Sequence, residues 1–207
     1  MAVIYERLND TLVDIPRLIY ELRSHVLKYE PVMPKPAFGG WSILSASGSY
    51  KDGWQPGHLC YKHDQDGNQY YDAELAKQLG VRPSAEHVVL TEISSPYVIE
   101  LIDSIRSLGL EPCRARWTVL RANSQGVVHR DAPDDQYAVR LHVPVITNAM
   151  CRFDSEGESE HAPADGAMYL VKVNRLHQIF NLSNEDRYHI IMNVTDRKAV
   201  SQYHRFG

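Results

Sequence analysis

The 207-residue sequence predicts a mainly β fold, a jelly roll with flanking helices, in one domain. Three observations predict it. Helical periodicity is confined to the first half. Strand-like alternation takes over from Arg114 onward. The apolar runs there are short and separated by turns containing Gly, Asn, Asp and Ser, the pattern of a sandwich or barrel.

Near the N-terminus, Asp14 can cap a helix with Pro16 in its first turn, and Ile15, Leu18, Ile19, Leu22 and Val26 recur at helical spacing. Pro31, Pro34 and Pro36 stop it, and residues 41–46 read as a strand. Residues 48–68, rich in Gly, Asp, Tyr and His, read as an extended loop or loose hairpin of the kind that often carries function. A short helix over 71–79 ends at Gly80. A second clear helix follows Ser95, with Pro96 in its first turn, Ile99, Ile102, Ile105 and Leu108 on one face, and Gly109 as terminator. In the second half Ala115, Trp117 and Val119 alternate with Arg114, Arg116 and Thr118. Further strands are expected over 137–146, 150–154, 167–173, 178–182 and 188–194. The boundaries that follow are one domain over 1–207, with a helical buttress and substrate loops over 1–113 and a jelly-roll core with the functional site over 114–196.

Hydrophobic residues make up 43% and charged residues 23%, and a chain of this size can bury a core without disulfides or a structural metal. The net charge is −4 and no basic run of five or more occurs, which argues against a nucleic-acid surface. Cys60, Cys113 and Cys151 are scattered and form no C-x-x-C pair, which fits a reducing compartment. The first residues lack the apolar stretch of a signal peptide, and no segment approaches a membrane span. A cytoplasmic protein with no membrane partner is expected, and a homodimer is left open.

The β-rich half contains His129-Arg130-Asp131. On an extended chain, residues two apart share a face, so one imidazole nitrogen and one carboxylate oxygen can reach one cation. Two histidines and one carboxylate on one face of an octahedron leave the opposite positions open, as non-heme Fe(II) requires for binding co-substrate and O2 together. The motif is short enough to arise by chance, and a solvated surface turn is its other reading. The downstream sequence adds to it. His177 opens one strand-like run, and Arg187 opens the next after a short turn, so both can face one side of a pocket. The planar fork of a guanidinium suits the distal carboxylate of 2-oxoglutarate.

Taken in order, His129-x-Asp131, Arg140-Leu141-His142-Val143, and His177 with Arg187 ten residues later resemble the aspartyl/asparaginyl β-hydroxylase family of Fe(II)/2-oxoglutarate-dependent oxygenases. The resemblance covers residues 114–196 and is closest to the small bacterial members, such as the proline cis-4-hydroxylases. It implies a double-stranded β-helix (cupin-like jelly roll). It makes His129, Asp131 and His177 the catalytic metal ligands and Arg187 the partner of the 2-oxoglutarate C5 carboxylate. Arg140, His142 and Thr118 match positions that help bind the co-substrate. The acidic ligand Asp131 sides with hydroxylation rather than halogenation. The implied activity is hydroxylation of an unactivated C–H bond in a free amino acid or similar small metabolite, using Fe(II), 2-oxoglutarate and O2 and releasing succinate and CO2. The alternatives are an oxygenase acting on a peptide or carrier-bound intermediate, and a non-catalytic cupin-like metal-binding module.

Other residues have two readings each. His142 and His189, alternating with apolar residues, also fit core histidines with hydrogen-bond partners, and His189 is left outside the site. Trp54, Tyr61, Tyr70 and Tyr71 suit either a lid or an ordinary aromatic cluster. Arg116 and Arg121 suit either a substrate carboxylate or a solvated strand face. Asp134 and Asp135 suit either an amine at the pocket mouth or a turn. His58, His63 and Asp64 are loop residues more readily solvated than metal-bound. A kinase catalytic loop is rejected, because Gln136 stands where a magnesium-binding Asn would be needed and no Gly-rich loop accompanies it.

Overall fold

The computed structural model describes residues 5–8, 12–55, 60–63, 65, 69–131 and 139–195. In chain order the strands are β1 (Tyr5–Leu8), β2 (Val32–Lys35), β3 (Phe38–Ser42), β4 (Leu44–Ser45), β5 (Tyr61–His63), β6 (Gln69–Tyr71), β7 (Val89–Leu90) and β8 (Glu111–Leu120). They continue with β9 (Ser124–Gln125), β10 (Val139–Ile146), β11 (Cys151–Ser155), β12 (Glu158–Glu160), β13 (Met168–Lys172), β14 (His177–Asn181) and β15 (Arg187–Thr195). The helices are α1 (Ile15–Ser24), α2 (Ala73–Gln78) and α3 (Pro96–Ser107).

Two antiparallel sheets dominate. The larger has seven strands in the order β1-β13-β10-β15-β8-β3-β2, and the smaller has four in the order β12-β11-β14-β9. From β8 onward the chain crosses repeatedly between them: β8, β10, β13 and β15 lie in the large sheet, and β9, β11, β12 and β14 in the small one. This is the winding of a double-stranded β-helix, as the sequence predicts. The first half of the chain contributes β1, β2 and β3 to the large sheet, so it does more than buttress the core with helices.

Period-2 alternation gives the large sheet two unlike faces. Trp117 and Val119 of β8, Leu141 and Val143 of β10, and Ile190 and Met192 of β15 point outward. They pack with Leu18 and Leu22 of α1 and with Val98, Leu101, Ile102 and Ile105 of α3. The alternate residues, Arg116, Thr118, Arg140, His142, Arg187 and His189, point the other way, into the space between the sheets. A smaller apolar cluster of Phe153, Ala167, Tyr169, Val171 and Val173, joined by Tyr5 and Ile179, closes one part of that space.

The helices form for the expected reasons. The Asp14 carboxylate accepts from Arg17 N at 3.0 Å, and Pro16 sits in the first turn of α1. Gly80 and Gly109 take φ of 66° and 80° just past α2 and α3. Ser95 precedes α3 but does not cap it with its own side chain; its hydroxyl donates to the buried Glu21 of α1, which accepts from Tyr97 N at 3.3 Å. The buried face of α3 is rotated from the expected one: Val98 and Leu101 join Ile102 and Ile105, while Leu108 is exposed. The strand expected over 41–46 breaks at Ile43, whose N–H bonds Ala115 O at 2.8 Å as the chain leaves the large sheet for the β4–β7 pair. The short edge strands β1, β2, β9 and β12 carry too few alternations to be read from sequence.

Candidate active site

β9 and the segment after it run antiparallel to β14. Gln125 pairs with Phe180, Gly126 N bonds Ile179 O at 2.8 Å, and after a one-residue register shift His129 and His177 form a bridge. The bridge is reciprocal: His129 N donates to His177 O at 3.0 Å, and His177 N donates to His129 O at 2.8 Å. Asp131 N bonds Val173 O at 3.0 Å, which returns the carboxylate to the same side as His129. Among the described residues, one ligand atom from each of His129, Asp131 and His177 lies within 4.8 Å of the others.

The hydrogen bonds around these side chains fix which atoms are free. Nδ1 of His129 is 2.8 Å from Val127 O, and Nδ1 of His177 is 2.8 Å from Arg175 O. A carbonyl only accepts, so each Nδ1 carries the proton and each Nε2 presents a lone pair. Phe153 stacks on the His177 ring at 4.9 Å and 13°. Burial, then the nearby His129, hold His177 below its usual pKa and therefore neutral at pH 7, despite the Arg175 carbonyl. Burial would raise the Asp131 pKa, but Arg140, then His129, His177 and Arg116, hold it below the usual range, so it is a carboxylate. Asp131 Oδ1 takes Arg140 at 3.1 Å, whereas Oδ2 is buried without a hydrogen-bond partner among the described residues, 3.9 Å from Nε2 of His177. A carboxylate oxygen facing an imidazole lone pair across that gap leaves two acceptors to be satisfied by one cation. The residues present therefore fit a divalent metal with two nitrogen donors and one oxygen donor.

Deeper in the same space, Arg187 is 4% exposed, and among the described residues no carboxylate pairs with it. Its Nε has no hydrogen-bond partner. Leaving a guanidinium buried without an anion is costly, so this position fits an anionic ligand. Asn181, fully buried at the end of β14, donates to the carbonyls of Leu120, Arg121 and Glu185, which fixes the turn that delivers Arg187. Around Arg187 the inner face carries His142 and His189, whose rings meet edge-to-face at 6.0 Å. Burial, then the Arg187 charge, push both histidines well below the usual pKa. Among the described residues neither nitrogen of His189 has a partner. Thr118 is buried and its hydroxyl donates to His189 O at 3.1 Å.

The structure thus gathers all seven residues singled out from sequence on facing sheets. Arg140 contacts Asp131 directly, and Thr118 is held by backbone. His189, left outside the site on sequence because an alternating histidine on a strand is usually a satisfied core residue, lies beside His142 on the same face, and among the described residues its ring nitrogens have no partner. Asn181 gave no signal at all. Arg121 lies outside the pocket and pairs with Asp186 at 2.7 Å. Trp54 is buried, Tyr70 is exposed, and the side chains of Tyr61, His63 and Tyr71 lie outside the described residues, as do His58, Asp64, Asp134, Asp135 and Gln136. No described helix is long and apolar enough to cross a membrane.

A two-histidine, one-carboxylate cluster inside a jelly roll is the arrangement of the oxygenases that use Fe(II), 2-oxoglutarate and O2, and this chain is an enzyme of that class. The sequence model of the aspartyl/asparaginyl β-hydroxylase family matches residues 54–197, and the chain belongs to that family. Among solved structures, it is similar to a 2OG-Fe(II) oxygenase family oxidoreductase from Burkholderia pseudomallei, with TM-score 0.55 and 10% identity over 93% of this chain and 84% of that one. A prolyl-4-hydroxylase from Pseudomonas putida aligns with TM-score 0.46 and 10% identity over 94% of this chain and 93% of that one. At 10% identity the likeness to the Burkholderia structure concerns the fold. No curated protein compared with the chain matches it.

Proposed function

We propose that this protein hydroxylates an unactivated C–H bond in a free amino acid or similar small metabolite, with succinate and CO2 as co-products. His129, Asp131 and His177 would hold the iron through two Nε2 atoms and the carboxylate. Arg187 would hold the distal carboxylate of 2-oxoglutarate, and Arg140, His142 and Thr118 would line the co-substrate between Arg187 and the metal. Bound there, iron and 2-oxoglutarate supply the oxidising chemistry. The protein's part is to orient both ligands and to keep water out, and the apolar cluster around Phe153 and Tyr169 serves the second task.

The observation that carries this reading is the buried Arg187, without an anion among the described residues, on the sheet facing the three convergent ligands. Residues 1–207 would act as one oxygenase domain, because β1–β3 are hydrogen-bonded into the sheet that bears Arg187. Three free, buried cysteines are consistent with a cytoplasmic site of action.

The test is spectroscopic and then kinetic. Anaerobic Fe(II) and 2-oxoglutarate together should give a weak visible charge-transfer band, followed by succinate release with one or a few free amino acids. Turnover with peptides alone would move the substrate to a larger class. A featureless spectrum would point to a metal-binding module without catalysis.

A further inference from the structure

The small cluster beside the metal site contains more than water exclusion requires. Phe153 of β11 lies flat on the ring of His177, one of the three convergent ligands, at 4.9 Å and 13°. Tyr5 of β1 meets Phe153 at 5.8 Å and Tyr169 of β13 at 5.8 Å, both aromatic contact distances. The Tyr169 hydroxyl donates to Asp165 Oδ1 at 3.2 Å, and Asp165 pairs with Arg7 of β1. The register sets Tyr5 opposite Val171 and Arg7 opposite Tyr169, so the edge strand turns both side chains to the inner face. Phe153 and Tyr169 are 2% and 5% exposed, whereas the side chains of Asp165 and Arg7 are 33% and 46% exposed. Rings in contact therefore lead from His177 to the protein surface.

Aliphatic side chains or phenylalanine alone would keep water out. Tyr169 adds what a phenol needs to give up an electron: ring contacts that lead to the metal site, and a base for its proton. A phenol that has lost an electron is a strong acid, so even a weakly basic carboxylate takes its proton. Burial would raise the Asp165 pKa, but the Ala167 N–H, then Arg7, hold it below the usual range, so it is a carboxylate able to accept. Phe153 is too hard to oxidise to hold a charge. It fills the gap between His177 and Tyr5, so the electron crosses packed atoms. Among the described residues, Phe153 is the one ring besides the two imidazoles themselves that contacts His129 or His177.

We infer that Phe153, Tyr5 and Tyr169 form an escape route for the oxidising equivalents left at the metal site when O2 reacts without substrate, with Tyr169 as the residue oxidised. This rests on the reading above, in which His129, Asp131 and His177 hold iron beside 2-oxoglutarate. Tyr169 gives one electron to the metal site and its phenolic proton to Asp165, which leaves a neutral tyrosyl radical and a carboxylic acid. A soluble enediol or thiol reductant returns an electron to Tyr169 at the surface, and Asp165 returns the proton. Two such passages restore the ferrous state and release the unused oxygen atom as water, with two protons from solvent. The route spares the ligand side chains from oxidation. With substrate in place, the same equivalents go to its C–H bond.

The test mixes protein loaded with Fe(II) and 2-oxoglutarate, but no substrate, with O2, and freezes samples while the charge-transfer band decays. The EPR spectrum of the parent should show a neutral tyrosyl radical, and ascorbate should shorten its lifetime. Tyr169→Phe keeps the ring and should lose the signal, while the anaerobic band stays as in the parent. Asp165→Asn removes the proton acceptor and should reduce the signal several-fold. After exposure to O2, mass spectrometry should find several-fold more added oxygen in peptides carrying His129, Phe153 and His177 in Tyr169→Phe than in the parent. A band that persists under O2, or one that decays with no tyrosyl signal in the parent, would overturn the inference. So would a signal or a level of added oxygen unchanged by Tyr169→Phe, or an undiminished signal in Asp165→Asn. Absence of the band in the parent protein would instead strike the proposed function itself.

Discussion

The backbones of His129 and His177 exchange two hydrogen bonds, at 3.0 and 2.8 Å, so the two imidazoles are placed by main chain before any ion binds. Gly126 makes that approach feasible, since a Cβ there would lie 2.8 Å from Cγ1 of Ile179 on β14. Gly126→Val should push the two strands apart. Overpacking of this kind costs about 1–3 kcal/mol, and part of it should appear as roughly tenfold weaker Fe(II) binding in an anaerobic titration. Unchanged metal affinity would show that the bridge does not organise the site.

Arg187 carries the co-substrate assignment. Replacing it with Met keeps much of the volume and removes the charge. KM for 2-oxoglutarate should rise at least about 30-fold, equivalent to ~2 kcal/mol, while Fe(II) affinity stays constant. Normal co-substrate saturation in Arg187→Met would remove this role from Arg187.

The second half of the chain was legible because its chemistry and its periodicity coincide. Arg116 and Thr118 alternate with Ala115 and Trp117 on β8, and Arg140 and His142 alternate with Leu141 and Val143 on β10, so one reading of period 2 separates pocket from core. His177 and Arg187 stand at the starts of β14 and β15, where a turn brings neighbouring strands together. The rest depended on contacts distant in sequence. Nothing local shows that Glu21 caps the helix beginning at Pro96, that Asn181 clamps the Arg187 turn, or that Trp54 slides beneath Arg116 from the loop after β4. His189 shows the same limit, since whether a strand histidine is satisfied is decided by its neighbours across the sheet.

His189 offers a two-sided prediction. Both ring nitrogens are buried without partners, a cost of about 1–3 kcal/mol if nothing binds them. His189→Leu should therefore raise the melting temperature of the ligand-free protein. If the imidazole serves the co-substrate, the same variant should bind 2-oxoglutarate several-fold more weakly. A stability gain without an affinity loss would make His189 a structural residue only.

His87, buried beside Gly53 and flanked by Arg114, Arg116 and Asp52, should contribute to acid sensitivity alongside His142, His177 and His189. Burial, then the Arg114 charge, push the His87 pKa down from 6.5 to about 4. Between those values the unfolded chain holds a proton that the folded chain does not. Stability is therefore complete above pH 6.5 and declines as the pH falls toward 4. The loss from pH 7.5 to pH 5 should be about 2 kcal/mol from this group. Urea unfolding of the parent protein and of His87→Asn at both pH values checks it: the variant should show the smaller difference, and equal slopes would contradict the assignment.

The most direct measurement is the position of the metal. Crystals grown anaerobically with Fe(II) and 2-oxoglutarate should show one anomalous iron peak, bonded to Nε2 of His129, Nε2 of His177 and the Asp131 carboxylate at roughly 2.0–2.2 Å. The co-substrate should run from that peak to the Arg187 guanidinium. Iron bound elsewhere, or bound there with 2-oxoglutarate directed away from Arg187, would contradict the account.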